Sequence, residues 1–253
     1  MTLILDRTKK NNCASTVKKI IPAGSVINSY AFYDGKIEFS LANDERFISA
    51  NTTSLPVYTF WRCLMYDPSR LHAMVSSDSL RFDGEAILAT LQDMWHSHSS
   101  PIITASLFFI MNRCSSNGLV SSGELDLKQL APTAIAKLKT FSVPDNFHLN
   151  LSPEHPIKQI KKSNSESYNL VLGGRFNYNL FEYGKSVAIE QTSINHKELI
   201  KLCKDKNIKI LITYDYDQRV LSAFKNNRLI MVDKYGVETA HKERAEEIIV
   251  ANF

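Results

Sequence analysis

Between Asn195 and Asp215 the chain runs NHKELIKLCKDKNIKILITYD. Asn195 is followed three residues later by Glu198, the arrangement of a capping box, so a helix is expected to start there. That helix leads through a short turn into Ile208 to Asp215, a continuous apolar run with strand character. A helix that passes straight into a buried strand is the grammar of a layered sheet, and the fold class it predicts is α/β. With 253 residues, 44% of them hydrophobic and 22% charged, the chain has length for one large domain or two small ones and enough apolar mass for a sizeable core.

Other segments fit into this frame. KIEFSLAND, Lys36 to Asp44, alternates polar and apolar residues and is expected to be a strand that delivers Asn43 and Asp44 to its carboxyl end. Glu85 to Trp95 puts Ile87, Leu88, Leu91, Met94 and Trp95 on one helical face. From Ala105 an apolar, helix-like run stops at Asn112 and Arg113 and gives way to a polar stretch containing Gly118 and Gly123, where exposure is expected. This is either a rigid support for a binding loop or a helix cap followed by an ordinary hairpin. Val143 to Tyr168, with three prolines and the basic group Lys158, Lys161 and Lys162, reads as a long connection between two halves.

Several function classes are disfavoured at this level. No apolar run reaches the ~18 residues of a membrane span. The start, MTLILDRTKKNN, has no extended apolar region ahead of a small-residue cleavage site. A cytoplasmic protein without a membrane partner is expected. Cys13, Cys63, Cys114 and Cys203 lie far apart with no CxxC pair, which suits free thiols in a reducing compartment. His96 and His98 lack an acidic or cysteine partner at a helical offset, so no metal is expected. The net charge of +4 permits a polyanionic partner without arguing for one.

Met111-Asn112-Arg113, Asn117-Gly118-Leu119 and Gly123-Glu124-Leu125 follow one another after an apolar helix. Together they resemble the signature of the Dam-type DNA adenine-N6 methyltransferases, a helix ending in L-N-R-x-x-F-N-G-L-x-R and then a G-x-F-N-x-P-F-G hairpin. LANDERFISANTTSLPVYTFWRCLMYDPSRLHAMV is similar to the family's N-D-x-N strand end and following helix. HKELIKLCKDKNIKILITYDYDQRVLSAFKNNRLIMVDKYGV and HKERAEEIIVAN are similar to its late helix, strands and closing strand.

The resemblance implies a Rossmann-like methyltransferase sheet made from residues 1–54 and 143–253, with residues 55–142 as a helical, loop-rich DNA-recognition insert. It implies S-adenosylmethionine as cofactor, with Pro22 and Gly24 in the turn beside its methionine part. Asp44 would hold the ribose hydroxyls, or serve only as a strand-end turn residue. It implies double-stranded DNA contacted by Arg113, Asn117, Ser121 and Ser122, with Lys158, Lys161 and Lys162 on phosphates.

The chemistry departs from the family. An adenine amine is a poor nucleophile, and the family answers with a D-P-P-Y motif at a strand end, whose carboxylate and carbonyl accept the amine's hydrogens. This sequence has no Pro-Pro; after YNLVL it reads Gly173-Gly174-Arg175-Phe176. Phe176 would still stack on a base, but Gly173 offers no carboxylate, and Arg175 sets a cation beside an amine that becomes cationic. Val26 stands near the second glycine of the cofactor turn, where a Cβ restricts φ. The expectation is a catalytically inactive methyltransferase-like protein that needs no cofactor, a DNA-binding or assembly component of a phage or mobile element with a protein partner in a larger assembly. Two alternatives stay open: an active S-adenosylmethionine-dependent methyltransferase with a non-standard site, and an interaction protein that binds neither ligand.

Overall fold

A computed structural model of the chain describes residues 3–6, 9–77, 90–92, 95–116, 118–120, 124–176 and 194–253. In chain order the first elements are α1 (Ala14–Ile20), β1 (Val26–Tyr30), α2 (Lys36–Ala42), β2 (Phe47–Thr52), α3 (Leu55–Tyr66), α4 (Pro68–Val75), α5 (Pro101–Cys114) and α6 (Pro132–Thr140). Then follow β3 (Phe147–Leu151), α7 (Pro156–Lys161), β4 (Tyr168–Gly174), α8 (His196–Leu202), β5 (Lys209–Asp215), α9 (Gln218–Ala223), β6 (Arg228–Asp233) and β7 (Ala245–Ala251). They group into two compact units. A sheet unit takes Thr8–Thr53, Pro144–Val187 and Thr192–Phe253; a helical unit takes Met1–Arg7, Ser54–Val143 and Ala188–Gln191.

The sheet unit is a mixed α/β layer with seven strands in the order β3-β2-β1-β4-β5-β7-β6. β3, β2, β1, β4 and β5 run parallel, and β7 lies antiparallel between β5 and β6. The first five positions are those of a doubly wound, Rossmann-like sheet. Strands covered on both faces are apolar at every position rather than at alternate ones. In β5, Ile210, Ile212 and Tyr214 join a cluster with Val171, Ile248 and Val250 that packs on Ile157 and Ile160 of α7, Leu199 of α8 and Val220 of α9. Leu211 and Thr213, of opposite parity, point to the other face and are buried as well.

The elements expected at the carboxyl end of the sequence form as read. Asn195 caps α8, its Oδ1 accepting the Glu198 backbone N–H at 3.1 Å, and β5 follows at Lys209. KIEFSLAND differs: Lys36 to Ala42 is the helix α2, not a strand. Its buried residues, Ile37, Glu38, Leu41 and Ala42, have helical spacing; the polar Glu38, which fits the alternation as a solvent-facing residue would, is in fact buried. The Val143 to Tyr168 connection also contains structure, the edge strand β3 and the short helix α7, which Pro156 opens from its first turn. The helix expected over Glu85 to Trp95 falls largely on residues outside the described ones.

The helical unit is organised around α5, which is buried on all sides from Thr104 to Cys114. Phe60 of α3 lies 5.6 Å from Phe108 and 6.0 Å from Phe109, while Trp95 meets Phe108 at 5.5 Å. A helix apolar all round is a core helix. Among the described residues no helix is long and apolar enough to cross a membrane.

Candidate functional site

In an open parallel sheet, ligands bind outside the carboxyl ends of the strands, where the strand order reverses direction. Here that place lies between β1 and β4. Three chain segments converge on it within the sheet unit: the β1–α2 turn, the end of β2, and Gly173 to Phe176 at the end of β4.

The residues expected to hold a cofactor do not reach this end. Pro22 and Gly24 precede β1, and Asp44 precedes β2, so all three lie at the amino ends of the strands. Gly24 has φ 74° with open space around it, and its N–H donates to Glu45 O at 3.1 Å; it serves a turn. Asp44 pairs with the Arg46 guanidinium. Arg46 is itself buried and donates to Ile21 O and Lys18 O at the end of α1. Of the two roles open to Asp44, the structure places it in the turn. The glycine cue was attached to the wrong side of β1: the turn that faces the site is Ala31-Phe32-Tyr33-Asp34-Gly35, with Ala31 and Gly35 at φ 62° and 70°.

That turn is filled by its own side chains. A Cβ built on Gly35 would lie 2.1 Å from the Phe39 ring, and Phe39 packs against Phe147 at 4.8 Å and Phe32 at 6.2 Å. The end of β2 carries Asn51, Thr52 and Thr53, with no carboxylate, and the Asn51 amide donates inward to Ser29 O and Ser49 O. Beneath the turn Glu38 is fully buried: Ser29 Oγ donates to its Oε1 at 2.8 Å, while Oε2 has no hydrogen-bond partner. Burial raises the Glu38 carboxyl above the usual carboxylate range, the direction expected when the charged form loses its hydration.

At the end of β4, Gly173 is pressed against β5. A Cβ there would sit 2.5 Å from Tyr214 Cε1, so the Tyr214 ring occupies the volume a side chain would need. Gly174, at φ 59°, is covered by the stem of Lys9. Phe176 is only 2% exposed and packs edge-on to Tyr214 at 5.4 Å, which corrects the expectation that its face would receive a base. Arg175 does project outward, its side chain 80% exposed, with Nε 4.0 Å from Asp215 Oδ2. It borders a polar cavity of about 470 Å³ with Lys10, Asp217, Arg219 and Glu246. The acids there are matched by cations: Glu246 by Lys10 at 2.9 Å and Asp217 by Arg219 at 2.6 Å. Hydrogen bonding from Arg219 holds the Asp217 carboxyl below its usual range. Behind this wall Tyr214 Oη meets His196 Nδ1 at 3.0 Å, and burial pushes the imidazole down to about 4.

The described DNA-contact candidates divide between the two units. Asn112 and Arg113, expected at the surface, are 0% and 4% exposed. Asn112 pairs with Leu5 through both ends of its amide, accepting from Leu5 N at 2.7 Å and donating to Leu5 O at 2.9 Å. Arg113 donates to Leu3 O at 3.4 Å. Their role is to fix the amino-terminal segment and the following loop, whose base is closed by the antiparallel bridge Ser115–Leu125. Asn117, Ser121 and Ser122 lie outside the described residues. Lys158, Lys161 and Lys162 are exposed on or beside α7, with Lys161 3.7 Å from Glu198 and Lys162 2.7 Å from Glu154. All four cysteines are free, and no group of three metal-ligating side chains occurs among the described residues.

No protein-family model matches the sequence, and no curated protein shows significant similarity to it.

Sequence reasoning missed Lys9, Phe39, Tyr214 and Arg46, the residues that occupy or close off the switch point and its opposite end. Nothing in their spacing distinguishes them from ordinary core and surface positions.

Proposed function

We propose that this protein is a non-catalytic relative of the Dam-type DNA adenine-N6 methyltransferases, which has kept the sheet and acts by binding, as a DNA-associated or assembly component, rather than by methyl transfer. The observation that carries this reading is Gly173. The position where the resemblance requires an acid has no side chain, and the ring of Tyr214 fills its place. The sheet supports the kinship as far as a Rossmann-like layer does: β3, β2, β1, β4 and β5 are parallel in doubly wound order, as the resemblance implies.

The residues present do not fit S-adenosylmethionine. Holding its ribose takes a carboxylate at the end of β2, where Asn51, Thr52 and Thr53 stand, and holding its methionine part takes open space over the β1–α2 turn, where Phe39 lies on Gly35. Loss of one preorganised polar group costs ~10²–10³ in rate. Asp215 is no substitute, because Arg175 sits against it and brings positive charge to the place where positive charge develops.

Calorimetric titration with S-adenosylmethionine, then with duplex DNA, tests the reading. Duplex binding with no heat from the cofactor is the expected result. Micromolar cofactor affinity together with tritium transfer from labelled S-adenosylmethionine to DNA would overturn it.

A further inference from the structure

Within the helical unit, α3 presents two faces of different chemistry. Val57, Phe60, Trp61 and Leu64 are buried, while Leu55, Arg62 and Tyr66 are exposed, Tyr66 by 74%. Tyr58, Arg62 and Tyr66 recur at four-residue spacing, which aligns them along one edge of the helix. The Arg62 guanidinium lies 5.4 Å from the Tyr58 ring centroid and 4.8 Å from that of Tyr66, and its Nη1 donates to Tyr58 Oη at 2.7 Å. A flexible cation is thereby held over the Tyr66 ring and tied to the Tyr58 hydroxyl.

This edge forms one wall of a groove of about 480 Å³, completed by Arg70 of α4 and by Pro101 and Ile102 of α5. Its charge is unbalanced. Asp67, the one acid among its described lining residues, uses its Oδ1 to cap α4 at Arg70 N. No carboxylate among the described residues lies within ion-pair distance of Arg62 or Arg70. A Tyr–Arg pair one turn apart on a helix needs no partner to explain it. That account leaves out the groove beside the pair, the two arginines without acids, and a tyrosine ring held out in water.

We propose that this groove binds unpaired nucleotides of a single-stranded nucleic acid, a base stacking on the exposed ring of Tyr66 while Arg62 and Arg70 face the phosphates. Every base has a π-face, so aromatic side chains beside a cationic track bind single strands with little regard to sequence. Guanidinium adds a fork of donors that matches phosphate. An acidic peptide would satisfy the arginines but leave the ring faces unused. The volume lies in the range of small-ligand clefts, ~300–1,000 Å³, with room for roughly one or two nucleotides. This inference goes beyond the duplex reading and does not depend on methyltransferase kinship.

The test is fluorescence anisotropy of the full chain with a labelled thymidine 12-mer, a duplex of equal length and a 12-residue polyglutamate peptide, at low and moderate salt. The wild-type chain is expected to bind the thymidine 12-mer. Tyr66→Ala and Arg62→Ala should each weaken that binding ~5-fold or more, the scale of losing one base–aromatic stack. Arg62→Lys, which keeps the charge and loses the plane, should recover the salt dependence but not the affinity. Tyr235→Ala, which removes an equally exposed tyrosine of the other unit, should change nothing. No binding of the 12-mer, unchanged affinity in both alanine variants, or a preference for polyglutamate that the same variants abolish would each overturn the proposal. Loss of 12-mer binding in Tyr66→Ala with duplex binding unchanged supports a separate single-strand site and leaves the DNA-associated role standing, whereas equal loss of both would overturn the single-strand assignment.

Discussion

At Gly173 the ring of Tyr214 fills the volume that a side chain would need. Replacing the glycine with aspartate therefore places the new side chain on a ring whose nearest atom is 2.5 Å from the Cβ position. Overpacking of this kind costs typically ~1–3 kcal/mol. Gly173→Asp is expected to lower the unfolding free energy by that amount, read as a lower urea midpoint at unchanged slope, and to give no methyl transfer; an active variant would show that Gly173 does not stand at the motif position. His196 lies on the other side of the same tyrosine contact, its Nδ1 3.0 Å from Tyr214 Oη. Its imidazole is buried against Tyr214 and pushed from its ordinary value of 6.5 down to about 4. The folded state thus holds it neutral where an unfolded chain would protonate it. The sign follows: the contribution is intact above pH ~6.5 and is lost as pH falls toward ~4, amounting at full effect to about 3 kcal/mol. Urea unfolding at pH 7 and pH 5, with proton NMR titration of the histidine ring, checks both the loss and its assignment. A ring that titrates near 6.5 refutes it. Glu38 and Glu247, both raised by burial, act in the opposite direction, since they favour the folded state when protonated and lose that advantage as pH rises.

Among the elements, legibility followed how local the signal was. α8 was readable because its start is written in two residues, and Asn195→Ala is expected to cost about 1 kcal/mol, read as a lower thermal midpoint, because the Glu198 N–H then loses its acceptor. An unchanged midpoint would mean that the packing of Leu199 alone holds the helix in place. β5 was readable because a strand buried on both faces is an apolar run with no alternation to misjudge. α2 was not, because its buried face contains a carboxylic acid whose partner, Ser29 on β1, is a tertiary fact. The candidate site failed at the same level. Two glycines with positive φ, Gly24 and Gly35, flank β1, and the choice between them decides which end of the sheet is called the site. β1 itself is only VINSY, with polar Asn28 and Ser29 inside it, so nothing local announces a strand between the two turns. β4, with the apolar triplet Leu170-Val171-Leu172, placed Gly173 to Phe176 at its carboxyl end, but the burial of Phe176 depends on Tyr214 and Phe224 from elements read separately.

For the molecule as a whole, charge decides what kind of DNA binding the proposed function allows. A net charge of +4 spread over 30 basic and 26 acidic residues gives no large unbalanced field, so duplex affinity rests on a few local contacts. Each phosphate neutralised contributes a slope of about −0.9 to the dependence of log K on log salt. The three lysines of the α7 region are unequal in this respect. Lys158 has no acid within ion-pair distance among the described residues, whereas Lys161 faces Glu198 and Lys162 faces Glu154. Exposed pairs of this kind are weak, ~0–1 kcal/mol, but a lysine must still give up its partner to take a phosphate. Lys158→Ala is therefore expected to reduce the salt slope by about 1 between ~50 and 200 mM, with smaller changes for Lys161→Ala and Lys162→Ala. Glu154→Gln frees Lys162 without adding a positive charge of its own, and should steepen the slope. If none of the four substitutions moves it, the phosphate-facing surface lies elsewhere in the protein, and α7 is an ordinary solvated helix.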